Sequence, residues 1–391
     1  MLIQRQDVSA NAHGEAALDR EFMTRALQLA RLGAGHAWPN PIVGALVVSA
    51  GREVASGHHR RFGDAHAEVL ALDGAGERAR GATLYVSLEP CAHHGHTPPC
   101  VDRILAAGIA RVVAPAPDPD ARVNGRGIAR LRERGIRVDV GGEATAAVLE
   151  NLGYYRQRLG LGPTVTLKIA ASADGMAARA RGQRDDVTGA AARREVHGLR
   201  ALHDAVVVGV ETALIDRPRL DCRLLEGGVD REPMPVVIDT HLRTEADNAW
   251  SRAGRPFVVV TGPHVDAERA RAIEARGGRV VDCGLAGAGV DVRQVVTRLA
   301  GIGCERILVE GGPRLLGSFL RAGAWDALWW YRSPAGFGPG VPWFDDAAHA
   351  HDAAWPGRLV DEATVGDDVR RRIVNPRSWE QIAAWLSRSG G

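Results

Sequence analysis

The chain has almost no lysine: of its 49 basic residues one is Lys, at position 168, and the rest are Arg. Aromatic residues are also scarce, at 5% of 391. No apolar run approaches the roughly 18 residues that span a bilayer, which excludes a conventional membrane helix. Residues 1–18 lack the long apolar core of a signal peptide and are expected to form a disordered tail. A charge excess of one sign is missing too. The 49 basic and 47 acidic residues leave a net charge of +2, an argument against nucleic acid or an anionic membrane as partner. Without an export signal, the five cysteines are expected as reduced thiols in a cytoplasmic protein, so a Cys91–Cys100 disulfide is the weaker reading.

What remains is a soluble α/β composition, 45% hydrophobic and 25% charged, long enough for two domains. Asp19 is placed to cap a first helix carrying Phe22, Ala26, Leu27 and Ala30 at helical spacing. Strands are predicted at 42–48, 53–56, 82–88 and 110–116, with helices at 66–72, 98–108, 125–135 and 143–158. Such alternation predicts a mostly parallel, helix-covered sheet in a domain spanning 19–158. LGLGPT (159–164) is the expected joint. In a second domain, 164–391, strands are predicted at 164–172, 204–210, 234–239, 256–262 and 305–312. Helices are expected at 190–203, 266–277 and 291–303. No element is assigned beyond about 335.

LEPCAHHGHTPPC (88–100) holds two cysteines and three histidines. Together with His66, at a helix start, Cys91 and Cys100 make a three-ligand zinc set with a fourth position open, as catalytic zinc requires. Glu68 stands two residues after His66, where it can move protons without being a ligand. A structural zinc site completed by His93, His94 or His96 is the alternative, but it leaves Glu68 without a use. Inert buried thiols are the third reading. H-x-E followed by P-C and a second cysteine is the zinc-deaminase signature, here with C-x8-C in place of C-x-x-C.

The sequence resembles the bifunctional riboflavin-biosynthesis enzymes, a pyrimidine deaminase fused to a 5-amino-6-(phosphoribosylamino)uracil reductase. The resemblance is carried by PNPIVGALVV (39–48), HAEV (66–69), LEPCAHHGHTPPC (88–100) and NGRGIARLRERGI (124–136). In the second half it lies in TLKIAASADG (166–175), the run 187–214 and LVEGGPRLLGSFL (308–320). It implies a cytidine-deaminase-like α/β/α domain followed by a dihydrofolate-reductase-like α/β domain, with Zn2+ and NADPH as cofactors. It also implies a phosphoribosylated pyrimidine as substrate and a homo-oligomer. The metal ligands carry over to His66, Cys91 and Cys100, the acid/base to Glu68, and substrate contacts to Asn40, His59, His93 and His96. In the second half Lys168 and Glu310 take the reaction centre, and Arg200 and Arg223 the substrate phosphate. Thr212, Asp216, Thr240, Gly311 and Gly312 take the cofactor. The sole lysine thus falls where the chemistry asks for a group that can give up a proton, which arginine cannot.

Three stretches depart from the family pattern. Arg184-Asp185-Asp186-Val187-Thr188 replaces S-x-W-I-T, Asp216-Arg217-Pro218 replaces D-D-P, and Ser333-Pro334-Ala335 lacks the lysine of A-P-K. A second reading therefore keeps the deaminase but gives the reductase-like half another substrate or no activity.

Overall fold

Burying the apolar faces of these alternating elements produces two large sheets. Two further two-stranded ones lie in the second half of the chain, pairing Leu285–Ala286 with Gly289–Val290 and Met176–Ala178 with Val341–Pro342. The computed structural model describes residues 4–94, 98–183, 185–344 and 357–389, with side chains from Gly14 to Arg388. His96 and Arg184 lie outside the described residues. The chain divides into a unit of Met1–Leu161 with Ile382–Gly391 and a unit of Gly162–Gln381. The end of the chain therefore groups with the first unit, where a second domain running to 391 was expected. Trp385 meets Tyr155 edge-on there, with ring centroids 5.8 Å apart.

The first unit contains α1 (Gln4–Ala30), β1 (Gly44–Ser49), β2 (Arg52–His58), α2 (Ala67–Ala75), β3 (Thr83–Val86) and α3 (Cys100–Ala106). β4 (Arg111–Ala114), α4 (Arg126–Glu133), β5 (Arg137–Val140), α5 (Ala144–Glu150) and α6 (Leu152–Arg158) follow. The sheet order is β2-β1-β3-β4-β5. β1 is antiparallel to both β2 and β3, and β3, β4 and β5 are parallel. The first helix begins at Gln4, well before Asp19, so residues 4–18 are helical where a tail was expected. Asp19 is no cap: its carboxylate accepts from the Tyr85 hydroxyl at 2.6 Å and from Arg111 at 2.8 and 2.6 Å. The single helix expected at 143–158 is two. Asn151 breaks it, and its amide bonds both Ile42 N and Ile42 O at 2.9 Å.

The second unit contains β6 (Thr164–Ala171), β7 (Met176–Ala178), α7 (Ala190–Ala201), β8 (Ala205–Gly209), α8 (Val210–Asp216), β9 (Met234–Ile238) and α9 (Ala249–Arg252). Next come β10 (Phe257–Thr261), α10 (Ala267–Glu274), β11 (Gly278–Asp282), β12 (Leu285–Ala286), β13 (Gly289–Val290), α11 (Val292–Ala300) and β14 (Arg306–Val309). The chain closes with α12 (Pro313–Ala322), β15 (Ala327–Arg332), β16 (Val341–Pro342), β17 (Arg358–Val365), β18 (Asp368–Val374) and α13 (Pro376–Ser389). The large sheet runs β11-β10-β9-β8-β14-β6-β15-β18-β17. Strands β11 to β15 of that order are parallel, and β18 and β17 add an antiparallel edge. From β6 the chain steps over β14 to β8, and from β14 it steps back over β6 to β15. Ligands in open α/β sheets bind outside the carboxyl ends of strands at such a reversal. Valine and isoleucine dominate both faces of these strands, as parallel burial demands. No helix of the described residues is long and apolar enough to cross a membrane.

Candidate active sites

In the first unit three short connections converge. His66 holds the N-cap position of α2, Cys91 follows β3, and Cys100 opens α3. His66 Nδ1 lies 3.2 Å from Cys100 Sγ and 3.6 Å from Cys91 Sγ, and the donor atoms of all three lie within 4.8 Å of one another. The Cys100 amide donates to Cys91 Sγ at 3.3 Å, so the start of α3 helps to stabilise a thiolate. Hydrogen bonding from Cys100 pulls the Cys91 thiol well below its ordinary value, and the bond to Cys91 raises His66. One imidazole and two sulfurs at this separation fit a zinc ion, and deprotonated sulfur is the form a metal takes. Glu68, on the first turn of α2, is 4% exposed, and burial raises its pKa above the ordinary carboxylate value.

The surroundings are organised around this triad. Asn40 Nδ2 donates to His59 Nε2 at 3.1 Å, while His59 Nδ1 donates to Ala65 O at 3.2 Å. These bonds fix the His59 tautomer and leave Asn40 Oδ1 as the amide's acceptor. His59 is 1% exposed and meets the His66 ring edge-on at 5.4 Å. His93 Nδ1 is buried with no hydrogen-bond partner among the described residues. Glu89 went unnoticed in the sequence. Its carboxylate accepts from the amides of Asp118, Gly125, Gly127 and Ile128 at 2.8–3.2 Å, capping α4 and tying it to the strand exit that carries Cys91. An acid two residues before the cysteine, followed later by an uncapped helix start, was the available signal. Gly127 must be glycine for this approach, because an added Cβ would meet Pro90 O at 2.0 Å.

In the second unit, Val309 of β14 pairs with Leu167 of β6. Continuing that register sets Glu310 beside Lys168 on the sheet face covered by α7. Arg200, near the end of α7, grips Glu310 with two parallel bonds, Nε to Oε1 at 2.7 Å and Nη2 to Oε2 at 2.9 Å. Its Nη1 donates to Asp221 O at 3.0 Å. Burial pushes the Lys168 ammonium down, with Glu310 opposing and Arg200 reinforcing. Against burial, Arg200 and Lys168 hold the Glu310 carboxyl below its ordinary value. His197, one turn before Arg200, was also missed. Burial and the Arg200 and Arg223 charges push it down to about 4, so it stands neutral beside them. Arg223 pairs with Asp221 and is 46% exposed.

Gly311 and Gly312 lie between β14 and α12, and Gly312 is the N-cap of that helix. A Cβ at Gly312 would meet only Thr212 Oγ1, 4.0 Å away, so Thr212 and this bare helix start face one another. Thr240 follows β9, and its carbonyl accepts from Gly262 N at 3.2 Å. Asp216 ends α8, with Arg217 at φ 43° after it. A helix start free of side chains beside strand ends suits a dinucleotide phosphate. The departures have local partners. Asp185 accepts from Arg179 N at 2.7 Å, and the Arg179 guanidinium lies 4.2 Å from the Phe337 ring centre. Asp174 accepts from the amides of Phe337 at 3.0 Å and Gly338 at 2.7 Å, holding the Ser333–Gly338 loop without the family lysine.

A family model described as the RibD C-terminal domain matches residues 163–360, and one for the cytidine and deoxycytidylate deaminase zinc-binding region matches 16–116. The riboflavin biosynthesis protein RibD of Aquifex aeolicus is 35% identical over 353 residues, 90% of this chain and 97% of the relative. The chain belongs to the RibD family. RibD of Bacillus amyloliquefaciens is 39% identical over 81% of this chain and 85% of its own. Solved RibD of Acinetobacter baumannii is 30% identical, with a TM-score of 0.66 over 92% of this chain and 99% of that one. A Thermotoga maritima deaminase/reductase gives the same figures. The fold is therefore cytidine-deaminase-like in the first domain and RibD-reductase-like, of the dihydrofolate-reductase kind, in the second. This RibD family member is a bifunctional zinc-dependent deaminase and NADPH-dependent reductase of riboflavin biosynthesis.

Proposed function

We propose that the chain deaminates 2,5-diamino-6-(5-phosphoribosylamino)pyrimidin-4(3H)-one in its first domain and then reduces the ribosyl group to a ribityl chain in its second. The observation that carries this reading is the convergence of His66, Cys91 and Cys100 beside buried Glu68. In it, those three residues hold the metal, which when bound makes a water nucleophilic near neutral pH. Glu68, whose burial raises its pKa and so makes its carboxylate a stronger base, takes a proton from the nucleophile and delivers it to the departing amine. Asn40 Oδ1 accepts from the pyrimidine edge, with His59 fixing the amide, and His93 offers its unpartnered Nδ1. His96 is proposed to add charge toward the substrate phosphate.

NADPH, when bound against Thr212, Asp216, Thr240, Gly311 and Gly312, supplies hydride. Lys168 delivers the proton that neutralises the substrate nitrogen, a task its burial favours because the ammonium is costly there. Glu310 balances Lys168, and Arg200 and Arg223 meet the phosphate. The match across 163–360 favours reduction over an unrelated role for the second half. The proposal also comprises a cytoplasmic homo-oligomer acting on a small molecule, not on nucleic acid or membrane, in keeping with the net charge of +2. The test is to strip and restore zinc in the full chain and measure ammonia release from the diaminopyrimidinone. Release should rise in proportion to zinc restored; release independent of zinc would overturn the assignment.

A further inference from the structure

Resting on the reductase reading above, we propose that His197 is a third, uncharged contact to the substrate phosphate, its Nε2–H donating alongside the guanidinium groups of Arg200 and Arg223. His197 stands three residues before Arg200 on α7, so the two side chains leave the same face of the helix. The loop that carries Arg223 lies against that face, and α7 grips it twice. Arg200 Nη1 donates to Asp221 O at 3.0 Å, and His197 Nδ1 accepts from Leu224 N at 3.5 Å. One bond falls just before Arg223 and the other just after it. The imidazole is thereby held beside both arginines assigned to the phosphate, and it feels the charge of each.

The tautomer follows from these bonds. An Nδ1 that accepts from an amide carries no proton, so in the neutral ring the proton sits on Nε2. A charged ring would turn an N–H toward the Leu224 N–H, and the neighbouring guanidinium groups oppose that charge as well. His197 is thus kept as a neutral donor of fixed direction. The residue is 5% exposed, and its Nε2 has no partner among the described residues. Buried N–H donors are rarely left unpaired, and the ligand that two arginines await here is rich in acceptor oxygens. A neutral donor also adds a bond to that ligand without placing a third like charge beside the two guanidinium groups.

The test uses the full chain with NADPH, the deaminated phosphorylated substrate and its dephosphorylated form. An asparagine amide reaches the position of Nδ1 and a glutamine amide that of Nε2, which separates the two ends of the ring. His197→Asn keeps an acceptor for Leu224 N and loses the outer donor. Its preference in kcat/KM for the phosphorylated over the dephosphorylated substrate should fall about tenfold, through KM. His197→Gln restores a donor where Nε2 stood and should recover most of that preference. A ring that merely braces the loop predicts the opposite order, with His197→Gln the poorer enzyme on both substrates, and that order would overturn the proposal. A His197→Asn enzyme with the wild-type preference would also overturn it and leave the reductase reading standing. NADPH fluorescence quenching reports whether each variant is folded. If His197→Asn binds no NADPH, nuclear magnetic resonance of the wild type with isotope-labelled histidine decides. The ring signal that vanishes in His197→Gln should shift with the phosphorylated substrate and not with the dephosphorylated one; a signal indifferent to the phosphate sinks the idea. A wild-type chain that oxidises no NADPH with either substrate overturns the reductase reading and takes this proposal with it.

Discussion

In the first unit the site carboxyl yields to burial: the pKa of Glu68 is raised, and that of Asp118 climbs to about 7. In the second unit the site carboxyl does not yield: Arg200 and Lys168 hold Glu310 below its ordinary value against burial, while burial pushes Lys168 down. The contrast follows from what each site is built to receive. The first gathers two sulfurs and one imidazole, a donor set completed by a cation, with the Glu68 carboxyl beside it. The second gathers Lys168, Arg200 and Arg223 around Glu310 and Asp221, and already matches its buried carboxylate with a buried guanidinium. One site is completed by a metal; the other is balanced before its anionic ligand arrives.

Three perturbations sharpen this comparison. The largest effect is expected from Glu68→Gln, which removes the proton carrier while keeping the shape of the side chain. Ammonia release should fall about 10³-fold, with zinc content and NADPH oxidation on predeaminated substrate unchanged. Retained deamination would move the acid/base role elsewhere. Next is Lys168→Arg, a swap of one cation for another. Because arginine does not release its proton, reduction should fall about 100-fold while NADPH still binds, and deamination should be untouched. An active Lys168→Arg enzyme would show that charge alone suffices there.

The smallest effect concerns stability. His203 is buried between Leu199 O, at 2.7 Å, and Thr166 Oγ1, at 2.9 Å, and its pKa falls from 6.5 to about 4. Folding therefore favours the neutral ring. That contribution is present above pH 6.5 and is lost as pH falls toward about 4, a cost on the order of 3 kcal/mol. Between pH 7 and pH 4.5 the wild type should lose more thermal stability than His203→Gln. Parallel losses in the two proteins would place the acid sensitivity in other groups.

The sequence made the zinc triad legible because its ligands are bound to local signals: a helix start, a strand exit, and a cysteine after two prolines. The five strands assigned in the second half were equally visible, being short Val/Ile-rich runs between helices. The far edge of that sheet was not. β15 reads ALWWYR and β18 reads DVRRRIV, and arginines hide the alternation expected of a strand. Arg370 and Arg372 are nevertheless buried, each bonding Asp361 at 2.6 and 2.8 Å and lying 5.4 Å from the Trp329 ring centre. Those partners come from other strands, so no local window of sequence reveals them. β5 escaped notice because RVDV is four residues long and half polar. The Arg200–Glu310 clamp joins residues 110 apart, and only the β14–β6 register brings the acid to the lysine. The residues that converge were legible one by one; their pairing was not.

The central claim is that one chain performs both reactions in sequence. The direct measurement is to incubate zinc-loaded protein with the phosphorylated diaminopyrimidinone and NADPH, and to follow ammonia release and NADPH oxidation in the same tube. The account predicts ammonia first, then NADPH loss that reaches the same molar amount, with no NADPH loss before deamination. Ammonia with no NADPH oxidation would contradict it, and would leave the clamped Lys168–Glu310 site without the chemistry assigned to it.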